Sequence, residues 1–179
     1  MQKKPQIHII IALAGFIGLS VLFSACNNPF APGLSDIKNE NAVLGDQKTV
    51  EGLFQNFKYS YIFQDTVVYG KLIAPDFTFS HKPYDLDDFV TWGRDEEMAS
   101  TAGMFRGTQR LNLVWFEISQ AITDTIDGVI MKDIYRNYSL TVSFSASDQV
   151  SVDGKANFLI VRKNASEDWQ ILRWRDASF

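Results

Sequence analysis

The folded part of the chain begins where apolar side chains start to recur at spacings of three and four. That spacing, in the segment from Val50 to Ile62, is the period of an amphipathic helix. Asp46 or Thr49 stands where a capping side chain is needed. A shorter segment of the same kind, from Val67 to Ile73, predicts a second helix, with Asp65-Thr66 as its cap. Its buried face is predicted to carry Val68, Tyr69, Leu72 and Ile73. Pro75 ends this helix, because a proline ring cannot continue the helical hydrogen bonds.

The following segments include both the alternating pattern of a strand and the three-and-four spacing of a helix. Phe77 to Ser80 alternates apolar and polar side chains, which indicates a half-buried strand. A short turn is expected around Phe89 to Trp92. A third helix is predicted from Arg94 to Phe105, with Gly107 just past its end. The side chains expected to face inward on that helix are Met98, Thr101, Ala102 and Phe105.

Long alternating strands follow Gln109. On the first of them, one face is predicted to carry Leu111, Leu113, Trp115, Glu117 and Ser119. The Asp124–Gly128 segment ends in Asp-Gly, a strong reversal signal. Three further strands are expected at 129 to about 145, 150–162 and 169–174.

Helices followed by a meander of strands predict an α+β domain, with N-terminal helices packed on one face of an antiparallel sheet of four to six strands. Strands this long have to bend, so the sheet is expected to be strongly curved and to enclose a cone-shaped interior.

Composition excludes several classes of protein. The chain has 179 residues and is 46% hydrophobic, which is too apolar for general disorder. A net charge of −4 argues against nucleic-acid binding, which normally needs a basic surface. One Cys cannot form an intrachain disulfide or a multi-Cys metal site, and two His argue against a His-rich metal site. No cofactor and no metal ion is predicted.

The first residues have the layout of a bacterial secretory signal. Lys3 and Lys4 precede an apolar stretch from Ile7 to Phe23, and small residues lead to Cys26, the single cysteine. Two alternatives remain open: a retained membrane-spanning anchor, since the stretch is near the lower length limit, and an ordinary signal cut near Ala25.

The segment Phe23-Ser24-Ala25-Cys26 resembles the lipobox of bacterial lipoproteins, with Phe23 where Leu is usual. The resemblance implies that residues 1–25 are a removed signal peptide and that Cys26 carries diacylglycerol and an amide-linked acyl chain such as palmitate. Two or three acyl chains hold a protein stably on a bilayer. The predicted localisation is therefore the bacterial cell envelope, with the choice between inner and outer membrane left open.

Residues 26–46 are predicted to form a flexible linker, because Pro29, Pro32 and Gly33 favour an extended, unpaired backbone. An ordered strap anchored by apolar side chains of this segment is the alternative. The remaining residues, 47–179, form the predicted α+β domain.

The order of elements resembles the nuclear transport factor 2-like superfamily, also described as a cystatin-like cone. The matching pieces are the Leu72–Phe77 join, with its Leu-x-x-x-Asp-Phe pattern, and the Trp169–Trp174 ending, with its Trp-x-Ile-x-x-Trp pattern. The resemblance covers roughly 47–176. It implies a fold shared by isomerases, dehydratases, association domains and lipoproteins, so it does not by itself indicate a chemistry.

In enzymes of this superfamily, catalysis takes place inside the cone, with a carboxylate or His as the base and a Tyr or protonated Asp as the oxyanion donor. Polar candidates for such a role are Asp76, His81, Tyr84, Glu117, Tyr138 and Arg173. Each has a plainer explanation as a turn, surface or packing residue, so no catalytic residue is assigned. The predicted pocket residues are His81, Trp92, Trp115, Glu117, Tyr138 and Trp174.

Three functions remain open. The preferred hypothesis is a membrane-anchored domain that binds a small apolar ligand or an envelope protein without catalysis. The alternatives are an isomerase- or dehydratase-type enzyme that uses His81 or Glu117, and a structural module that forms homodimers through its open sheet face. Beyond the bilayer, no partner is identified by the sequence.

Overall fold

A computed structural model describes residues 44–83 and 88–178 of the chain. The predicted signal peptide, Cys26, nearly all of the predicted linker, and Tyr84 lie outside the described residues. Within them, the helices are α1 (Val50–Ile62), α2 (Thr66–Leu72) and α3 (Arg94–Gly107). The strands are β1 (Ile73–His81), β2 (Val90–Gly93), β3 (Arg110–Ile126), β4 (Val129–Ser143), β5 (Gln149–Arg162) and β6 (Gln170–Asp176). Of the helices in this part of the chain, none is long and apolar enough to cross a membrane.

The helices form where the apolar spacing predicts them. Thr49 caps α1, since its side chain accepts the Gly52 N–H at 3.0 Å. Asp65 caps α2 by accepting the N–H groups of Val67 and Val68, both at 2.9 Å. These caps satisfy amide groups that have no partner inside the helix. Helix α2 ends at Leu72, and strand β1 begins directly at Ile73.

The six strands form one sheet in the order β2-β1-β6-β5-β4-β3. The α+β class is confirmed, with helices on a sheet that is antiparallel at every pair except one. The exception is the pair formed by β1 and β6, the last strand of the meander, which run parallel. The β1–β6 register shifts between Ile73 and Thr78, the stretch that contains Pro75, and such irregularities are among the places where a sheet tolerates proline.

Strands β3 and β4 are joined by the predicted Asp-Gly turn. Asp127 and Gly128 have φ values of 51° and 81°, and Ile126 pairs with Val129 across them. Positive φ at both central residues is the geometry of the tight hairpin turn that Asp-Gly favours. Strand β3 continues to Ile126, so the turn is shorter than the Asp124–Gly128 segment predicted from the sequence.

The expected turn around Phe89 to Trp92 is wrong in part: Val90–Gly93 is strand β2, antiparallel to β1. Trp92 pairs with Phe79 across the two strands, and their rings stack with centroids 4.4 Å apart. Cross-strand aromatic pairs of this kind stabilise a sheet edge. The strand was missed because four residues are too few to show an alternating pattern.

The core lies between α1 and the sheet. Phe54 and Phe57 of α1 make edge-to-face contacts with Trp115 of β3, at 5.2 and 5.4 Å between ring centroids. Both also meet Phe158 of β5, and Phe57 meets Trp174 of β6 at 5.6 Å. We call the side of the sheet that carries these rings the helix-packed face, and the other side the open face.

The segment ahead of α1 is fastened to the domain. Asn56 accepts the Gly45 N–H at 2.6 Å and donates to the Gly45 carbonyl at 3.1 Å. The backbone N–H of Trp169 donates to the backbone carbonyl of Gln47 at 3.0 Å, and the side-chain amide of Gln47 donates to the backbone carbonyl of Trp169 at 2.9 Å. Gly52 allows this close approach, because a Cβ there would lie 1.9 Å from the Asp46 carbonyl oxygen.

Candidate functional site

Two adjoining cavities lie between the helices and the helix-packed face. The first, which we call the outer pocket, has a volume of about 300 Å³. Its walls are mainly aromatic and apolar, with a few polar side chains on α3. Its lining residues are Tyr61, Phe79, Trp92, Glu97, Ser100, Thr101, Met104 and Trp174.

The second cavity, the inner chamber, is smaller, at about 50 Å³. It shares Tyr61 and Trp174 with the outer pocket, so the two cavities adjoin. The other residues that line it are Phe57, Leu113, Trp115, Tyr138 and Leu140. Apolar walls with a few placed polar groups are typical of small-molecule sites.

A buried carboxylate forms one wall of the outer pocket. Glu97 is only 4% exposed, and three side chains donate hydrogen bonds to it. Oε1 accepts the Tyr69 hydroxyl at 2.5 Å and the Thr101 hydroxyl at 3.1 Å, while Oε2 accepts the Trp92 indole N–H at 2.7 Å. All three donors are neutral. The desolvation of Glu97 is therefore offset by hydrogen bonds rather than by an ion pair.

The tyrosines around Glu97 remain protonated at neutral pH. Burial, reinforced by the charge of Glu97, raises the pKa of Tyr61 far above its usual value. Burial also raises the pKa of Tyr69, with further contributions from Tyr61 and Glu97. In the inner chamber, burial raises the pKa of Tyr138, and the charge of Asp176 adds to the effect. Tyr61 and Tyr138, which line the cavities, therefore keep hydroxyl protons that can be donated to a ligand.

Four of the predicted pocket residues line these cavities. Trp92 and Trp174 line the outer pocket, and Trp115, Tyr138 and Trp174 line the inner chamber. His81 lies at the end of β1 beside the outer pocket, with its ring centroid 5.4 Å from that of Trp92. It is half-buried and is not among the residues that line either cavity.

Glu117 was predicted wrongly as a pocket residue: its side chain is exposed and, like that of His81, lines neither cavity. The prediction that it shares a face with Trp115 assumed unbroken alternation along β3. The β3–β4 register shifts between Trp115 and Ile118, and again before Gln120. Such a bulge reverses the faces of the residues that follow it, and Ile118 packs against the core instead.

The remaining polar candidates lie elsewhere. Asp76 is exposed on β1. Arg173 alternates with Trp174 and so lies on the open face, where its Nη2 is 3.2 Å from Asp133 Oδ2. Asn157 donates to the same Asp133 carboxylate. This cluster borders a groove of about 420 Å³ on the open face, and its Arg173 and Asp133 charges are paired with each other.

The sequence analysis missed Glu97 and Tyr69 as site residues. Glu97 ends an acidic run at the start of α3, and a charged residue there is normally solvated. One signal was present: Glu97, Thr101 and Phe105 recur every four residues and therefore share a helix face, and all three are buried. Tyr69 was predicted only as a buried residue of the second helix.

No metal site is apparent in the part of the chain that the structure describes. Within residues 44–83 and 88–178, no three His, Cys, Asp or Glu side chains are close enough together to hold a metal ion.

Comparison with known proteins gives a fold. No protein-family model matches the sequence, and no curated protein matches it. Among solved structures, a putative scytalone dehydratase from Novosphingobium aromaticivorans is similar with a TM-score of 0.58 and 13% identity, over 73% of this chain and 81% of that one. A conserved protein from Planctomyces limnophilus is similar with a TM-score of 0.55 and 14% identity, over 73% of this chain and 94% of that one.

A nuclear transport factor 2-like superfamily protein from Salmonella enterica is also similar, with a TM-score of 0.51 and 12% identity, over 74% of this chain and 89% of that one. Identities this low establish the architecture alone. With three helices packed on an open six-stranded sheet, the chain has the nuclear transport factor 2-like fold.

Proposed function

We propose that this protein is a bacterial lipoprotein, held at the cell envelope by an acylated Cys26, whose cavity binds a small, largely apolar ligand without transforming it. The observation that carries the binding function is the Glu97 carboxylate, which is enclosed by an aromatic pocket and held by three donors.

The state of Glu97 favours binding over catalysis. A general base needs a lone pair within hydrogen-bond reach of the proton that it removes. Of the roughly four acceptor positions on the Glu97 carboxylate, three are already taken, by Tyr69, Thr101 and Trp92. Breaking any of these bonds would leave a buried polar group without its partner, which is costly. Glu97 therefore serves to fix the pocket wall, and the aromatic rings supply the contact surface.

Ligand binding is tested by filling the outer pocket from its rim. Ser100 is an exposed residue of α3 that lines the pocket, whereas its exposed neighbour Ala99 does not. We expect mass spectrometry to detect a small molecule released from the purified wild-type protein and from Ala99→Trp, and to detect much less from Ser100→Trp. Equal recovery from the two variants, or none from the wild type, would contradict the proposal.

The anchor is tested separately. Cys26→Ala removes the sulfur to which the lipid would be attached, so we expect the wild type to partition into detergent and to take up labelled palmitate, and the variant to do neither. Mass spectrometry of the mature N-terminus should show an acylated Cys26. An unmodified thiol on the wild-type chain would refute lipidation but leave the ligand site in place.

A dehydratase- or isomerase-type reaction is the alternative. The observation in its favour is His81, whose ring lies against Trp92 at the side of the outer pocket. On that alternative, His81→Gln would abolish turnover of a bound molecule. On the binding proposal, the same molecule would be recovered chemically unchanged from the wild type and from His81→Gln.

A further inference from the structure

Two hydrogen-bond donors of the inner chamber have no acceptor. Trp115 and Trp174 both line this chamber, and the Nε1 atom of each is buried. Among the described residues, none accepts a hydrogen bond from either N–H. By contrast, the Trp92 indole donates to Glu97.

Such donors are uncommon in a folded protein. A buried N–H without a partner costs about 1–3 kcal/mol, and native structures satisfy nearly all of theirs. Both rings also pack on Phe57, with centroids 5.4 and 5.6 Å away. The two indoles therefore contact the same ring and line the same chamber.

The lining of the chamber carries hydrogen-bond donors but no charged side chain. The residues that line it contribute indole N–H and phenol O–H groups, and carboxylate, amide, ammonium and guanidinium groups are absent from them. The nearby negative charge of Glu97 acts on Tyr61, which lines both cavities. An anionic ligand would be repelled by that charge and would lose its hydration without gaining a counter-ion.

We infer that the ligand carries a neutral carbonyl oxygen, which enters the inner chamber and accepts hydrogen bonds from the indoles of Trp115 and Trp174. This inference rests on the proposed binding function and specifies the class of ligand: an uncharged ketone, amide or ester with an aromatic or apolar body. The body lies in the outer pocket against Phe79, Trp92 and Met104. The two cavities meet at Tyr61 and Trp174. The bond that connects the carbonyl group to the apolar part of the ligand therefore lies beside these two residues.

The test uses two probes that differ in one oxygen-bearing group. Acetophenone has a carbonyl next to a single aromatic ring, and ethylbenzene has the same carbon skeleton without it. Both are titrated into the ¹⁵N-labelled full-length protein in detergent, and the four indole N–H signals are followed by NMR. Trp115→Phe and Trp174→Phe assign two of these signals, and Trp169, which lines neither cavity, is the internal control.

We expect acetophenone to shift the Trp115 and Trp174 signals and to slow the exchange of their N–H protons with water. It should bind roughly tenfold more tightly than ethylbenzene, as one or two added hydrogen bonds would give. Each Trp→Phe variant should lose most of this preference while still binding ethylbenzene.

Two outcomes would overturn the inference, and they can be told apart. If both probes bind equally and neither shifts the Trp115 signal, which comes from the inner chamber alone, the ligand occupies only the outer pocket. The proposed function then stands and the carbonyl is rejected. If neither probe shifts a signal from a cavity residue, the binding function fails together with the inference.

Discussion

Trp92 on β2 and Glu97 on α3 are joined by an Nε1–Oε2 hydrogen bond of 2.7 Å. This bond fixes the first turn of α3 to a strand at the edge of the sheet. The cap position of α3 is Gly93, which has no side chain to close the helix end. The indole, together with the Tyr69 hydroxyl from α2, therefore holds the start of the helix from outside it.

The first prediction concerns this carboxylate. Glu97→Gln keeps the shape of the side chain but replaces one acceptor oxygen with a donor, which then faces the N–H or O–H of a neighbour. We expect the free energy of unfolding to fall by about 1–3 kcal/mol. Urea unfolding followed by tryptophan fluorescence measures it. Glu96→Gln, on the exposed side of the same turn, should stay within about 0.5 kcal/mol of wild type; equal effects of the two variants would rule out the role assigned to Glu97.

The second prediction concerns alkaline pH. Tyr61 and Tyr69 have pKa values raised by burial, so they hold their protons in the folded chain after the unfolded chain has lost them. The stability that this provides is complete below the unfolded-state pKa of about 10 and is lost as the pH rises above it.

Above about pH 10, the free energy of unfolding should therefore fall by up to about 1.4 kcal/mol per pH unit for each of these tyrosines. Urea titrations at a series of alkaline pH values give the slope. Removing both titrating groups, in Tyr61→Phe with Tyr69→Phe, should make the slope shallower. An unchanged slope would mean that folding raises the pKa of neither tyrosine.

The third prediction concerns Gly154 on β5. A Cβ there would lie 2.5 Å from both Cζ and Oη of Tyr138 and 2.6 Å from Oγ of Ser178. Gly154→Ala should therefore displace the Tyr138 ring from the inner chamber and lower stability by about 1–3 kcal/mol. Gly103→Ala is the matched control, because a Cβ at that helical position meets nothing within 4 Å; it should raise stability by roughly 0.5–1 kcal/mol.

The effects of Gly154→Ala and Tyr138→Ala should also be coupled. Once the Tyr138 ring is removed, the added methyl group no longer collides with it. The double variant is therefore expected to be more stable than the sum of the two single effects predicts. Strict additivity would show that the ring does not occupy the space above Gly154.

The fourth prediction separates the roles of Arg136. Its Nε donates to the Phe116 carbonyl at 2.7 Å, at the bulge of β3, and its guanidinium lies 4.6 Å from the Phe54 ring centroid. Its ion pair with Glu51 involves a carboxylate whose side chain is 68% exposed. Glu51→Gln should therefore cost less than about 1 kcal/mol and less again in high salt.

Arg136→Met should cost clearly more, about 2–4 kcal/mol, because it removes the hydrogen bond to the bulge from a buried position. Thermal and urea unfolding of the two variants provide the comparison. If Glu51→Gln proves the more damaging, the ion pair rather than the bulge contact is what Arg136 contributes.

Local signals were sufficient for most of the fold. The three-and-four spacing located α1, Thr49 and Asp65 marked the helix starts, and Asp127-Gly128 marked the hairpin. Each of these features depends on residues near one another in the chain. Strand β2 escaped because it is held by its pairing with β1 rather than by its own pattern.

The candidate site was only partly predictable for the same reason. Trp92, Trp115 and Trp174 stood out by residue type, because large aromatic side chains are expected in a core or pocket. The burial of Glu97 depends on Tyr69, which comes from another helix, and local sequence does not show that contact. The exposure of Glu117 depends on the bulge in β3, and no Gly or Pro in that stretch of sequence indicates a bulge.

The fastening of Gly45 and Gln47 has a mechanical consequence. Tension along the chain ahead of Leu44 would be delivered to Asn56 in the first helix and to Trp169 at the start of the last strand. Neither residue lines the outer pocket or the inner chamber. A pull on the leading end of the domain would thus load one helix and one strand terminus at residues outside the cavity lining.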